Sequence, residues 1–213
     1  MPRFLLIVVV LVICSQIKAD NPKRKTTHEL NELKEKVDDK YDNLEKRLKK
    51  AEEEITKEAQ KLIDENNQDV DKEYKNLKKD LDEVARKNET CVEPLKEQLE
   101  MEYMEAKEAS NCTEPIVEDT KMELEKLNKT AMDVKKEVDG LEKQVKDCGN
   151  KEDCLKGALD DIKESRASKD LSKIKKKVKD LVEDKQDQLK KCKTVRRFKN
   201  KARRVLDEAK DCE

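Results

Sequence analysis

The chain has 213 residues, 50 of them basic and 51 acidic, so a net charge of −1 selects no class of partner by itself. Charged residues make up 47% and hydrophobic residues 34%, with no Trp, three Gly and four Pro. So sparse an apolar complement excludes a thick globular core and makes an enzyme pocket hard to build; the shortage of Gly and Pro favours long helices with narrow apolar stripes over disorder.

The chain begins with Arg3, an apolar run over residues 4–13 and a polar stretch ending at Ala19. This is the layout of a secretory signal peptide, and the run is too short to span a bilayer. Cleavage after Ala19 is expected, with a cut after Ser15 or an uncleaved anchor as alternatives. The remaining residues contain no second apolar run, so a secreted chain without a transmembrane segment is expected.

From Leu30, apolar residues recur at 33, 37, 41, 44, 48, 55, 59, 63, 70, 74, 77, 81 and 85, interrupted only by Glu52 and Asn66. The repeat is eleven residues: Val37, Leu48, Ala59, Val70 and Leu81 form one column, and Leu33, Leu44, Ile55, Asn66 and Leu77 another. Such a repeat keeps its stripe straight or slightly right-handed along a helix. The predicted helix runs from about 27 to 86, within a first region spanning 20–87.

Residues 88–213 form the second region. Pro94 fits the first turn of a helix over about 92–110, and Pro115 the start of the next, with Thr113 as its cap. A three-four heptad then runs through Val117, Thr120, Leu124, Leu127, Ala131, Val134, Val138, Leu141, Val145 and Cys148, a seam that needs a partner helix. Gly149-Asn150 ends it and places a turn near 149–153. Leu171, Ile174, Val178, Leu181, Cys192 and Val195 continue the spacing on the far side, broken at Lys185 and Gln188. A weaker break falls at 165–168, a last helix covers about 194–211, and no stretch reads as a strand.

Besides Cys14 in the leader there are six cysteines, an even number, which in a secreted chain favours disulfides over thiols or zinc. They are nearly symmetric about residue 151. If two helical arms run back from a turn there, Cys148 meets Cys154, Cys112 meets Cys192, and Cys91 meets Cys212. This nested ladder stands against fourteen other pairings.

Chemistry is sparse. His28 is the only histidine and no Cys-x-x-Cys occurs, so no metal or cofactor is expected. Residues 64–75 begin like a calcium loop, but Asp69 replaces the required glycine and Lys75 the bidentate glutamate; the segment reads as a solvated helix face with a polar interruption at Asn66. No nucleophile pairs with a histidine and no glycine-rich phosphate loop appears, so a non-enzyme is expected. Asn88, Asn111 and Asn128 open glycosylation sequons. The one asymmetric stretch is residues 190–204, with Lys190, Lys191, Lys193, Arg196, Arg197, Lys199, Lys201, Arg203 and Arg204 and no acid. In a secreted chain its ligands would be sulfated glycans or anionic lipid rather than nucleic acid. The alternative is a solvated helix whose charges complement the acidic first half of the chain. Lys201–Arg204 also reads as a dibasic processing site.

The signal peptide, the Lys/Glu-rich helices and the six spaced cysteines together resemble small secreted glycoproteins of arthropod glands, found in venom, saliva or haemolymph. That resemblance rests on layout over the whole chain and carries no functional residue with it. The eleven-residue stripe is also similar to that of exchangeable apolipoproteins, whose helices are poor in cysteine. The expected molecule is an all-α glycoprotein, an amphipathic helix followed by a disulfide-braced helical hairpin or small bundle, acting by binding or as a structural protein. Its stripe at 30–85 packs on the second region or on a second copy. A lipid or membrane-surface carrier is the alternative.

Overall fold

The computed structural model describes residues 21–108 and 110–212. It is 92% helical with no strand among the described residues, so the chain is all-α. Six helices follow in order: α1 (Pro22–Ala85), α2 (Glu89–Lys107), α3 (Ser110–Cys148), α4 (Glu152–Glu164), α5 (Ala167–Lys190) and α6 (Val195–Lys210). The expected leader at 1–19, with Cys14, lies outside the described residues.

Local chemistry explains most boundaries. α1 starts at Pro22, about five residues before the expected helix start, because the Asn21 side chain accepts the Lys23 amide at 3.0 Å and Pro22 needs no partner at a first helical position. Asn88 caps α2 in the same way, accepting the Cys91 amide at 3.3 Å. The two prolines correct the sequence reading. Each is the sixth residue of its helix rather than part of the first turn, and Thr113 is a buried residue inside α3 rather than its cap. Each proline therefore costs its helix one hydrogen bond, to the carbonyl of Thr90 or of Asn111. The turn after α3 depends on Gly149, whose φ of 59° is left-handed and suits glycine.

The chain divides into two compact units, each discontinuous in sequence. One comprises the chain up to Arg47 with Lys126–Lys177, the other Leu48–Glu125 with Val178–Glu213. Residue 87 therefore marks a break between helices rather than a packing boundary, since each unit joins part of α1 to later helices.

In the first unit, Leu30 packs with Val145, Cys148, Leu155, Ala158 and Ile162, flanked by Leu33 and Leu141. Thr26 donates its hydroxyl to the Leu155 carbonyl at 3.2 Å, and Lys40 reaches the Ser168 carbonyl at 2.9 Å. Lys135 pairs with Asp38 at 3.0 Å and lies 4.9 Å from the centre of the Tyr41 ring. In the second unit one cluster joins Val70, Leu77, Leu81 and Val84 of α1 to Val92, Leu99 and Ala106 of α2 and to Phe198, Ala202, Val205 and Ala209 of α6. Another joins Ile55, Ala59 and Leu62 to Leu189 and Cys192. The column Val37, Leu48, Ala59, Val70 and Leu81 is buried throughout. The stripe of α1 is thus covered by the chain's own later helices, so it packs on the second region and is not the surface offered to a second copy.

Disulfides join Cys91 to Cys212, Cys112 to Cys192 and Cys148 to Cys154, with Cα separations of 5.9, 5.6 and 5.4 Å. These are the pairs nearly symmetric about residue 151, at separations within the range a disulfide bridge requires.

Candidate binding surface

The basic segment is held by a buried polar node. Asn66 is only 1% exposed. It accepts the Thr194 amide at 2.8 Å and donates to the Ala106 carbonyl at 3.2 Å, while the Thr194 hydroxyl donates to that same carbonyl at 2.7 Å. The reading of Asn66 as part of a solvated face is therefore corrected: it closes the chain between α5 and α6 against the end of α2. An Asn in an apolar column signals a buried partner as readily as a solvent break, and sequence does not distinguish the two.

From that anchor α6 buries Phe198, Ala202, Val205 and Ala209, spaced four, three and four apart along one face. The basic residues flanking this face meet acids of the same chain. Arg197 pairs with Glu105 at 3.2 Å, and Lys201 with Glu102 at 2.6 Å and Glu105 at 2.8 Å. Lys199 pairs with Glu73 at 2.7 Å, Lys193 with Glu65 at 3.5 Å, and Lys190 with Asp187 at 2.7 Å. The hydrogen bond from Lys201 holds the Glu105 carboxyl below its usual range, and the one that Lys190 donates to Asp187 holds Lys190 above its own. Lys191, Arg196, Arg203 and Arg204 are exposed, and among the described residues none of the four makes a salt bridge, although Lys191 lies near enough to Asp187 to help hold that carboxyl low. Five of the nine basic residues thus complement acids internally, and four remain outward.

The intramolecular alternative is met by Glu65, Glu73, Glu102 and Glu105 of the first half and by Asp187, but the sequence reading did not single out which acids face α6, although a signal was present. Residues 89–108 carry seven acids against two bases. α2 is the acidic counterpart of α6, and the whole-chain charge hides both. The contact between α2 and α1 is polar at its edge: Tyr74 and Tyr103 stack with ring centres 4.1 Å apart, and Asp71 accepts from Tyr103 at 2.8 Å and Lys107 at 2.7 Å. Burial, reinforced by a hydrogen bond to Glu100, pushes the Tyr74 phenol up to about 12.

The sequons occupy different settings. Asn88 is exposed, its amide donating to the Cys212 carbonyl at 3.4 Å, and Asn111 is exposed with its amide on Glu108 at 3.1 Å. Asn128 is half-buried on α3, its side-chain oxygen enclosed without a hydrogen-bond partner. Near Asn111 an open groove of about 930 Å³ runs beside Ala59, Ile63, Pro115, Val117 and Met122. Glu114, Glu118 and Lys121 mix the signs of charge there, so it selects no ligand class. Among the described residues no cluster of His, Cys, Asp and Glu is arranged to hold a metal ion, and no helix is long and apolar enough to cross a membrane. Comparison with protein-family models, with curated proteins and with solved structures finds no match to this chain.

Proposed function

We propose that this chain is an extracellular, non-enzymatic helical protein that acts by binding through the outward faces of its disulfide-braced helices. The observation that carries this reading is the nested ladder, which uses all six cysteines after the leader, tying α2 and α3 to the segments on either side of α6 and α3 to α4. Disulfides of this kind persist in oxidising compartments, and they supply rigidity that a thin core does not. Expression behind its own leader in a eukaryotic secretory host tests the compartment: product in the medium beginning at Asp20 is expected, and a cell-retained chain with an intact leader overturns it.

A second reading, favoured by the four basic residues left without a salt bridge, is that Lys191, Arg196, Arg203 and Arg204 bind sulfated glycan. Exposed arginines in a helical row suit sulfate groups because the guanidinium donates through paired N–H bonds. Substitution of Arg196, Arg203 and Arg204 by Ala should lower the salt concentration that elutes the protein from immobilised heparin. Alanine at Lys199 and Lys201, already paired, should change it little. Equal elution of both variants removes this reading. The lipid-carrier alternative is weaker, since exposing the stripe of α1 would strip Val70, Leu77 and Leu81 from their partners on α2 and α6.

A further inference from the structure

The most exposed large hydrophobic side chains among the described residues are Met101 and Met104, 66% and 59% accessible, both on α2. They line a shallow groove of about 520 Å³ with Glu97, Glu100, Glu105 and Glu108. Glu97, Met101, Met104 and Glu108 are spaced four, three and four apart, one straight row of about three helical turns. We propose that this face of α2 is a docking site for a basic amphipathic peptide helix. Its apolar side would rest on Met101 and Met104 and its cations among Glu97, Glu100 and Glu108. The inference rests on the reading of the chain as a binding protein, but uses a different surface from the arginines of α6.

Charge complementarity chooses the occupant. Of the four acids, Glu105 is already engaged by Arg197 and Lys201. Glu100 accepts from the Tyr74 phenol and Glu108 from the Asn111 amide, and no salt bridge to either is found among the described residues. No cation is paired with Glu97 among the described residues. Three carboxylates around an apolar floor repel an anionic membrane surface or a polyanion and attract a cation carried on an apolar body. Methionine suits such a floor, because its unbranched thioether adapts to partners of different shape. The face is also pre-organised: disulfides at Cys91 and Cys112 flank α2, and Val92, Leu99 and Ala106 anchor its inner side, so little ordering is lost on binding.

The test is fluorescence anisotropy of the secreted full chain with a fluorescein-labelled leucine–lysine peptide, LKKLLKLLKKLLKL, and its glutamate counterpart, LEELLELLEELLEL. Binding of the basic peptide with a Kd on the order of 10 μM, weakening as salt rises, is expected, and none of the acidic one. Met101→Ser with Met104→Ser should weaken binding about tenfold, Glu97→Gln with Glu108→Gln should weaken it and reduce its salt dependence, and Met101→Leu with Met104→Leu should retain it. Met132→Ser, on α3, is the control and should change nothing. Circular dichroism checks that each variant folds, and unchanged heparin elution of the Met101/Met104 variants separates this site from the arginine face. Equal affinity for the two peptides, equal affinity of the serine double variant and the wild type, or no binding of the basic peptide at about 100 μM overturns the proposal.

Discussion

Lys185 stands where the return arm's apolar spacing breaks, yet its side chain is 5% exposed and pairs with Asp119 and, at 3.1 Å, with Glu123. Burial alone pulls its pKa down, but the hydrogen bonds it donates to the two carboxylates outweigh this and leave it raised. Its long stem fills core space, and its charge is satisfied by two partners that remain partly in water. Lys185→Met keeps the stem, so stability within about 1 kcal/mol of wild type, or higher, is expected; Lys185→Ala removes both stem and cation and should cost about 2 kcal/mol in urea denaturation. Glu142 belongs to the same scale. Hydrogen bonds from Lys146 first and Lys34 second hold its carboxyl down to about 2, against an ordinary 4.5. A folded-state pKa below the unfolded one contributes stability that is present above pH 4.5 and is lost as pH falls from there to about 2. Melting temperature should therefore drop across that window, and Glu142→Gln should flatten the drop; an unchanged slope would show that other carboxylates dominate it. Asn66 and Lys185 were both counted as interruptions of a stripe, because a one-dimensional pattern records polarity and not the partner that satisfies it.

Three boundaries at turns were readable because their causes are local, whereas the starts of α1, α2 and α3 were not. Gly149-Asn150 closes α3, residues 165–166 separate α4 from α5, and α6 lies within a residue of its expected span. The disulfides act at this scale too. In a nested ladder each inner bridge shortens the loop that the next one closes. With Cys112–Cys192 intact, Cys91–Cys212 constrains roughly 40 residues of the unfolded chain rather than its full span. In the loop-entropy account, replacing Cys91 and Cys212 by Ser should cost about 4 kcal/mol, and replacing Cys148 and Cys154, which close the tight turn, about 2 kcal/mol. Urea denaturation of the two variants checks the order; a larger loss from the inner pair would mean that the turn geometry, not chain entropy, is what that bridge supplies. An acid complement in the first half is an alternative the sequence offers for the basic segment, but it does not single out α2 as the partner of α6. Each helix carries a strong charge of its own, and only their adjacency brings Glu102 and Glu105 to Lys201.

For the whole molecule, the ladder and the leader make one joint prediction. Chain recovered from a secretory host and denatured without reductant should titrate no free thiol if cleavage removes Cys14, and one thiol if the leader stays. Two or more would break the ladder. The sequence by itself determined the helical class, the buried columns of α1, the point at which the chain reverses and the heights at which cysteines meet. Each of these follows from spacing along one dimension, because helical periodicity converts residue number directly into face and height. Tertiary structure decided what covers the stripe of α1, which polar residues lie inside it, and which four of nine cations remain outward while α2 leaves two methionines bare among acids. Those outcomes depend on which side chains approach from other helices, and charge or burial is settled only when both partners are in place.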